Sequence, residues 1–261
     1  MFQSPGEVAF KIFSIPVYYY GIILAFAILI GVYTAYLLYR RYYDNVKASY
    51  IVDFSPFIII IGVLGARLYY CLVNFSYYAA NPFEILNIRQ GGLSIHGMII
   101  VGISALYFFA RKYQMSFLKL TDAFLCATPL AQSVGRWGNF FNSEAFGLPT
   151  NLPWKLYIPL SHRPLEYINY DYFHPAFLYE SILDLLIFFV LILMLKKLSK
   201  YPGTAACLYL IMYSAARILV EGCRIDSVLN IGSFPIAQIV SCVIIILASI
   251  FMAVLLRRKN C

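Results

Sequence analysis

Arg136, Asn139, Asn142 and Glu144 crowd into GRWGNFFNSEAFG (135–147), at the end of an apolar run and fenced by glycines and Pro149. A polar side chain left unpartnered in hydrocarbon costs roughly several kcal/mol, so such a group is read first as functional. A lone arginine is explained by snorkelling to the headgroups. A polar quartet is not, and its guanidinium points to an anion site. Tyr213, Arg217 and Glu221 recur every four residues, so they share a helix face, and Arg224 stands three further on. Two readings stand for Arg217 and Glu221. They form an intrahelical pair that merely neutralises itself, or Arg217 joins Arg136 at a matching depth in a forked phosphate site, with Glu144 and Glu221 holding the arginines. His96 opens another apolar run within QGGLSIHG. An imidazole with an ordinary pKa near ~6.5 is the natural proton acceptor at neutral pH, and the competing role is a hydrogen-bonding strut. His174, just before Pro175, reads as a structural marker, and His162 has no assigned partner.

The elements that must carry these residues follow from composition. Of 261 residues, 62% are hydrophobic and 12% charged, with a mean hydropathy of +0.76. That excludes an ordinary soluble domain and predicts an all-α polytopic membrane protein. Apolar runs long enough to cross about 30 Å of hydrocarbon fall at 17–39, 54–73, 93–110, 120–141, 175–195, 203–221 and 234–256, which makes about seven spans. No linker separates a second domain, so 1–261 is expected to be a single membrane domain. The connection 142–173, rich in Pro, Tyr and Asn, is long enough for a small extracytoplasmic cap. Twelve of the twenty Lys and Arg cluster on one side, at 40–47, 111–119, 196–200 and 257–259. The positive-inside rule makes that side cytoplasmic, with the N-terminus outside and the C-terminus inside. The start of the chain lacks the basic segment and short apolar core of a cleavable signal. The six cysteines show neither metal-ligand spacing nor a paired pattern, so neither zinc nor disulfide is expected.

At about 1.5 Å of rise per residue, sequence offset becomes depth. Tyr20, Arg67, His96, Arg136, Asn139, Glu180, Tyr213, Arg217 and Glu221 then all lie toward the outer ends of their spans. The inner halves are apolar but for Asp53 and Asp122 near the cytoplasmic ends and Asp184 near mid-depth. A transporter calls for a midplane site, often between repeated halves; no such repeat is visible. A cavity opening to the outer leaflet fits better.

GRWGNFFNSEAFG resembles the signature of the bacterial prolipoprotein diacylglyceryl transferases. Further matches follow in order: YYG at 19–21, GARLYY at 65–70, GGLSIHG at 91–97, HPAFLYE at 174–180 and YSAARILVEGCR at 213–224. The resemblance implies a seven-span inner-membrane fold with a periplasmic cap. It also implies transfer of the diacylglyceryl group of phosphatidylglycerol to the thiol of a prolipoprotein lipobox cysteine, releasing glycerol phosphate. The family's important positions fall on Tyr20, His96, Arg136, Asn139, Glu144, Gly147, Tyr213, Arg217 and Glu221. Two departures stand out. Ala176 and Phe177 replace the Ser-Gln usual in the HPSQLYE motif, and Ile225-Asp226 follows Arg224 where an acidic residue and proline are common.

The implied chemistry is attack of a thiol on an sp3 glyceryl carbon as a phosphate ester departs. It needs a base or a positive field, because a free thiol with a pKa near ~8.5 is only about a few per cent ionised at neutral pH. His96 is the candidate base, with Tyr20 or Tyr213 as relays. Arg136 and Arg217 are the candidates to stabilise the leaving phosphate. Asn139, Glu144, Gly147, Glu221 and Arg67 are expected to bind or frame the lipid substrate. No cofactor, metal or nucleic-acid partner is implied. The rival readings are a transporter or flippase of an anionic lipid or metabolite, which would use the same arginines without chemistry, and a structural assembly factor.

Overall fold

The computed structural model describes residues 2–88, 91–225, 230–231 and 234–257. Asp226, Arg258, Lys259 and Cys261, which entered the sequence reading, lie outside the described residues. Seven long helices coincide with the seven apolar runs: α1 (Tyr19–Tyr42), α2 (Ser49–Val73), α4 (Ile95–Lys112), α5 (Phe117–Phe141), α6 (Ala176–Leu198), α7 (Thr204–Glu221) and α8 (Ile236–Arg257). A short helix, α3 (Phe75–Ala80), follows α2. Six of the seven are long and apolar enough to cross a membrane. The other, α5, has the length but carries Lys119, Asp122, Gln132, Arg136 and Asn139, which lower its hydropathy. Such a helix is stable in a bilayer when its polar side chains are buried against protein. The chain is a multi-pass membrane protein. Basic residues occupy the last turns of α1, α4, α6 and α8, where a cation also meets the negative end of the helix dipole.

The helices fall into two compact units, Met1–Ala35 with Asp122–Cys261, and Tyr36–Thr121. In the first, α6 packs on α7 and α7 on α8. The start of α7 is fixed from another helix. The fully buried carboxylate of Asp122 accepts hydrogen bonds from the N–H groups of Gly203 at 2.7 Å and Ala206 at 2.8 Å. It thereby satisfies donors that a helix N-terminus otherwise leaves open.

The cap has an internal structure that its sequence did not disclose. Its strands are β4 (Leu156–Tyr157) and β5 (Tyr172–Phe173), paired antiparallel, and β1 (Phe2–Gln3) adds to β4 in parallel. Phe2 and Gln3 therefore share a sheet with the 142–173 connection. A hairpin of β2 (Val8–Ile12) and β3 (Ile15–Tyr18) leads from there into α1. Beneath the sheet, Phe146, Leu156, Ile158 and Phe173 pack with Phe140 and Phe177 from the helix ends. Phe177, at one of the two departures from the usual motif, is fully buried and sits 5.4 Å from Phe140 and 6.0 Å from Phe2 between ring centroids. An apolar clamp thus holds the loop between α5 and α6 at this position.

In the second unit α2 packs closely on α4, and glycines set the distance. A Cβ at Gly65 would stand 2.6 Å from Val101 Cβ, and one at Gly97 would run into the carbonyl oxygen of Gly65. Toward the far end of the pair, Phe54 stacks on Phe109 and Tyr50 on Tyr113, at 5.1 and 4.6 Å between centroids.

Candidate functional site

The last two turns of α5, the first two of α6 and the last two of α7 bring their charged groups to one point. At its centre is Glu180, 6% exposed. Its Oε2 is 2.7 Å from Arg136 Nη1, while its Oε1 accepts from Arg217 Nη1 and Arg224 Nη1, each at 2.8 Å. Arg217 Nη2 also forms an ion pair with Glu221 Oε2, one turn on, at 2.6 Å. Asp184, one turn deeper than Glu180 on α6, lies 3.9 Å from Arg136 Nε. Guanidiniums from two helices and the segment after α7 are thus balanced by Glu180, Glu221 and Asp184. Desolvating such a cluster costs about as much as its Coulomb attraction returns, so it is poor ground for a stability argument and good ground for a binding one. The arginines keep partial access, 22% for Arg136 and 23% for Arg217, and both line a narrow crevice with Tyr213, Ala216 and Asp184.

The loop after α5 draws these elements together. Gly147 donates its N–H to the His174 carbonyl at 2.8 Å, and Leu148 N–H reaches the Cys223 carbonyl at 2.9 Å. A bridge pairs Gly147 with Arg224. A Cβ at Gly147 would stand 2.5 Å from the Cys223 oxygen and 3.0 Å from His174 Cβ, so a side chain there would push the loop from the end of α7. The same strapping carries Arg224 back toward Glu180. Glu144 lies within this loop and accepts from Asn139 at 2.9 Å and, more weakly, from Asn142 at 3.4 Å. It holds the two asparagines, while the carboxylates on the arginines are Glu180, Glu221 and Asp184. Glu144 thus departs from the arginine-holding role expected from sequence, because the loop after α5 turns its carboxylate onto the asparagines.

Tyr20 lies against the same helix end. A Cβ at Gly138 would come 2.7 Å from Tyr20 Cδ2, so the second glycine of the signature makes room for that ring. Tyr213 stacks on Tyr209 at 5.7 Å, whose hydroxyl donates to Gln132 at 2.9 Å. His174 Nδ1 lies 3.1 Å from the Tyr179 hydroxyl, which accepts from Trp154 Nε1 at 2.8 Å. His162 lies 3.7 Å from Glu7.

His96 and Arg67 belong to the second unit. His96 is exposed at the start of α4, with Tyr69 beside it at 6.0 Å and Ser94 Oγ 3.5 Å from its Nδ1. Arg67 is buried and donates to backbone carbonyls.

Glu180, Asp184 and Arg224 carried no assigned role in the sequence reading. The usable signal was a pair of carboxylates at i and i+4, Glu180 and Asp184, on a helix otherwise apolar.

The chain matches the family model described as prolipoprotein diacylglyceryl transferase over residues 7–254. It is 45% identical over 249 residues to the phosphatidylglycerol–prolipoprotein diacylglyceryl transferase of Synechococcus elongatus, covering 94% of this chain and 85% of that one. The protein of that name from Thermotoga maritima is 45% identical over 225 residues, 84% of this chain and 76% of its own. One from Synechococcus sp. strain CC9902 is 43% identical over 274 residues and covers 100% of this chain and 96% of its own.

Proposed function

The chain belongs to the prolipoprotein diacylglyceryl transferase family, and from that premise we propose that its arginine cluster grips the phosphate of the lipid donor. The protein is a transferase that moves the diacylglyceryl group of phosphatidylglycerol to the lipobox cysteine of a prolipoprotein, the first step of lipoprotein maturation. The observation that supports the assignment of the site is the convergence of Arg136, Arg217 and Arg224 on one buried carboxylate beside a crevice.

In the reaction a sulfur–carbon bond forms at the glyceryl carbon and the bond from that carbon to the phosphate oxygen breaks. Glycerol phosphate leaves with the electron pair, and the thiol proton passes to a base. Arg136 and Arg217 stabilise the charge that grows on the departing phosphate. Donors fixed in place before the reaction need no reorganisation during it, and each is worth about 2.7–4 kcal/mol in such sites. Glu180 and Glu221 keep those guanidiniums oriented. Asn139, steadied by Glu144, is our candidate donor to a phosphate or glycerol oxygen. His96 is our candidate for the thiol proton, with Tyr20 or Tyr213 as relays. The clustered basic ends of α1, α4, α6 and α8 support a cytoplasmic C-terminus and an N-terminus on the outer side of a bacterial inner membrane.

Purified protein incubated with phosphatidylglycerol and a lipobox peptide tests the assignment. The expected result is a peptide heavier by one diacylglyceryl unit, with glycerol phosphate released, and loss of both products in Arg136→Ala. Lipid bound tightly without either product would favour a transporter.

A further inference from the structure

Arg67 is the most heavily used guanidinium among the described residues, and everything it bonds is backbone. Its Nε donates to the Ile85 carbonyl at 2.9 Å. Nη1 donates to Gly91 at 2.9 Å and Gly92 at 3.0 Å, and Nη2 to Glu84 at 2.5 Å and Asn87 at 3.2 Å. A guanidinium has five N–H groups. All are taken by carbonyls, the side chain is 6% exposed, and the Tyr78 ring lies 5.2 Å from its central carbon. No donor is left for a lipid phosphate.

The carbonyls it gathers belong to the short turn at Pro82–Leu86, to Asn87 that caps it, and to the glycines that lead into α4. Carbonyls pointing together at a helix end repel one another, and a cation among them relieves that repulsion. Gly92 sits at φ +71°, and a Cβ there would collide with Arg67 Nη1 and stand 2.9 Å from Tyr70. Just beyond, the Ser94 N–H bonds the Ala66 carbonyl at 3.0 Å, α4 begins at Ile95, and His96 follows.

We infer that Arg67 is a positioning residue: it gathers the carbonyls of Glu84, Ile85, Asn87, Gly91 and Gly92 around its guanidinium and so sets the start of the helix that presents His96, without touching the lipid. This replaces the substrate contact expected of it from sequence, and its effect on turnover rests on the reading of His96 as a proton acceptor.

The test uses the full-length enzyme in phosphatidylglycerol-containing nanodiscs, with Arg67→Met, Arg67→Lys and Gly92→Ala. Amide exchange is followed at Asn87, Gly91 and Ser94, beside turnover, KM for phosphatidylglycerol and the pH profile. Arg67→Met and Gly92→Ala are expected to speed exchange at those amides at least tenfold, leave the seven long helices protected, and cut turnover at least tenfold with KM changed less than twofold. Arg67→Lys, with three donors, should fall between. Unchanged exchange overturns the clamp, and a KM for phosphatidylglycerol raised tenfold or more overturns the absence of lipid contact. Faster exchange with full turnover overturns the positioning role. The His96 reading fails separately, if His96→Gln keeps the acidic limb of the pH profile while exchange in the Arg67 variants still responds.

Discussion

Glu180 and the arginines around it differ in what each should cost when removed. Arg136 and Arg217 line the crevice, so Arg136→Ala or Arg217→Ala should lower turnover about 10²–10³-fold. Loss of a general base typically costs about 10²–10⁴-fold, and His96, exposed with Ser94 Oγ 3.5 Å from its Nδ1, is loosely oriented and belongs at the lower end. We expect the arginine variants to lose more than His96→Gln, and steady-state rates for the three side by side decide the order. Glu180→Ala breaks the ion pairs that one buried carboxylate makes with three partly buried guanidiniums, leaving them Glu221 and Asp184. Breaking such a pair from one side costs about 3–5 kcal/mol, so this variant should unfold at a lower temperature as well as lose activity. Glu180→Gln keeps the shape and one acceptor oxygen, and should recover part of the stability. A melting temperature unchanged in Glu180→Ala would mean that the arginines have other partners when the enzyme is in lipid.

At the level of elements, two contacts decide whether the charged ends of α5, α6 and α7 meet. One is the strap through Gly147, whose missing side chain lets the loop lie on the Cys223 carbonyl. Gly147→Ala places a Cβ against backbone, which yields less readily than a side chain. It should reduce activity at least tenfold while the helices remain folded by circular dichroism. The other is the Asp122 cap on α7. Asp122→Ala would orphan the Gly203 and Ala206 N–H groups at a buried site, at about 1–3 kcal/mol for each. The expected result is a lower denaturation midpoint with near-normal KM in the fraction still folded, because this cap lies at the opposite end of α7 from Arg217 and Glu221.

For the whole molecule, the testable matter is which way it sits in the membrane. The positive-inside rule counts basic residues near span ends, and here they gather at the last turns of α1, α4, α6 and α8. A cysteine placed at Asn169 in the cap should react with an impermeant maleimide on intact cells, and one at Lys200 only after the membrane is opened. Both positions are exposed, and the native cysteines are replaced for the measurement. The opposite pattern would invert the proposed orientation.

The spans were legible because hydrocarbon demands long, unbroken apolar runs, and the seven helices follow those runs to within a few residues at most ends. The arginines were legible for a related reason, since charge in such runs is costly and therefore conspicuous. Which carboxylate each arginine meets was not. Arg136, Glu180 and Arg217 come from three helices, and their meeting depends on how those helices are rotated and on the strap at Gly147. Spacing along one helix reveals only the neighbour one turn away, as with Arg217 and Glu221. Arg67 makes the same point from the other unit. Its type and depth marked it as costly, but only the folded chain, by bringing five carbonyls to one guanidinium, decided that it binds its own backbone.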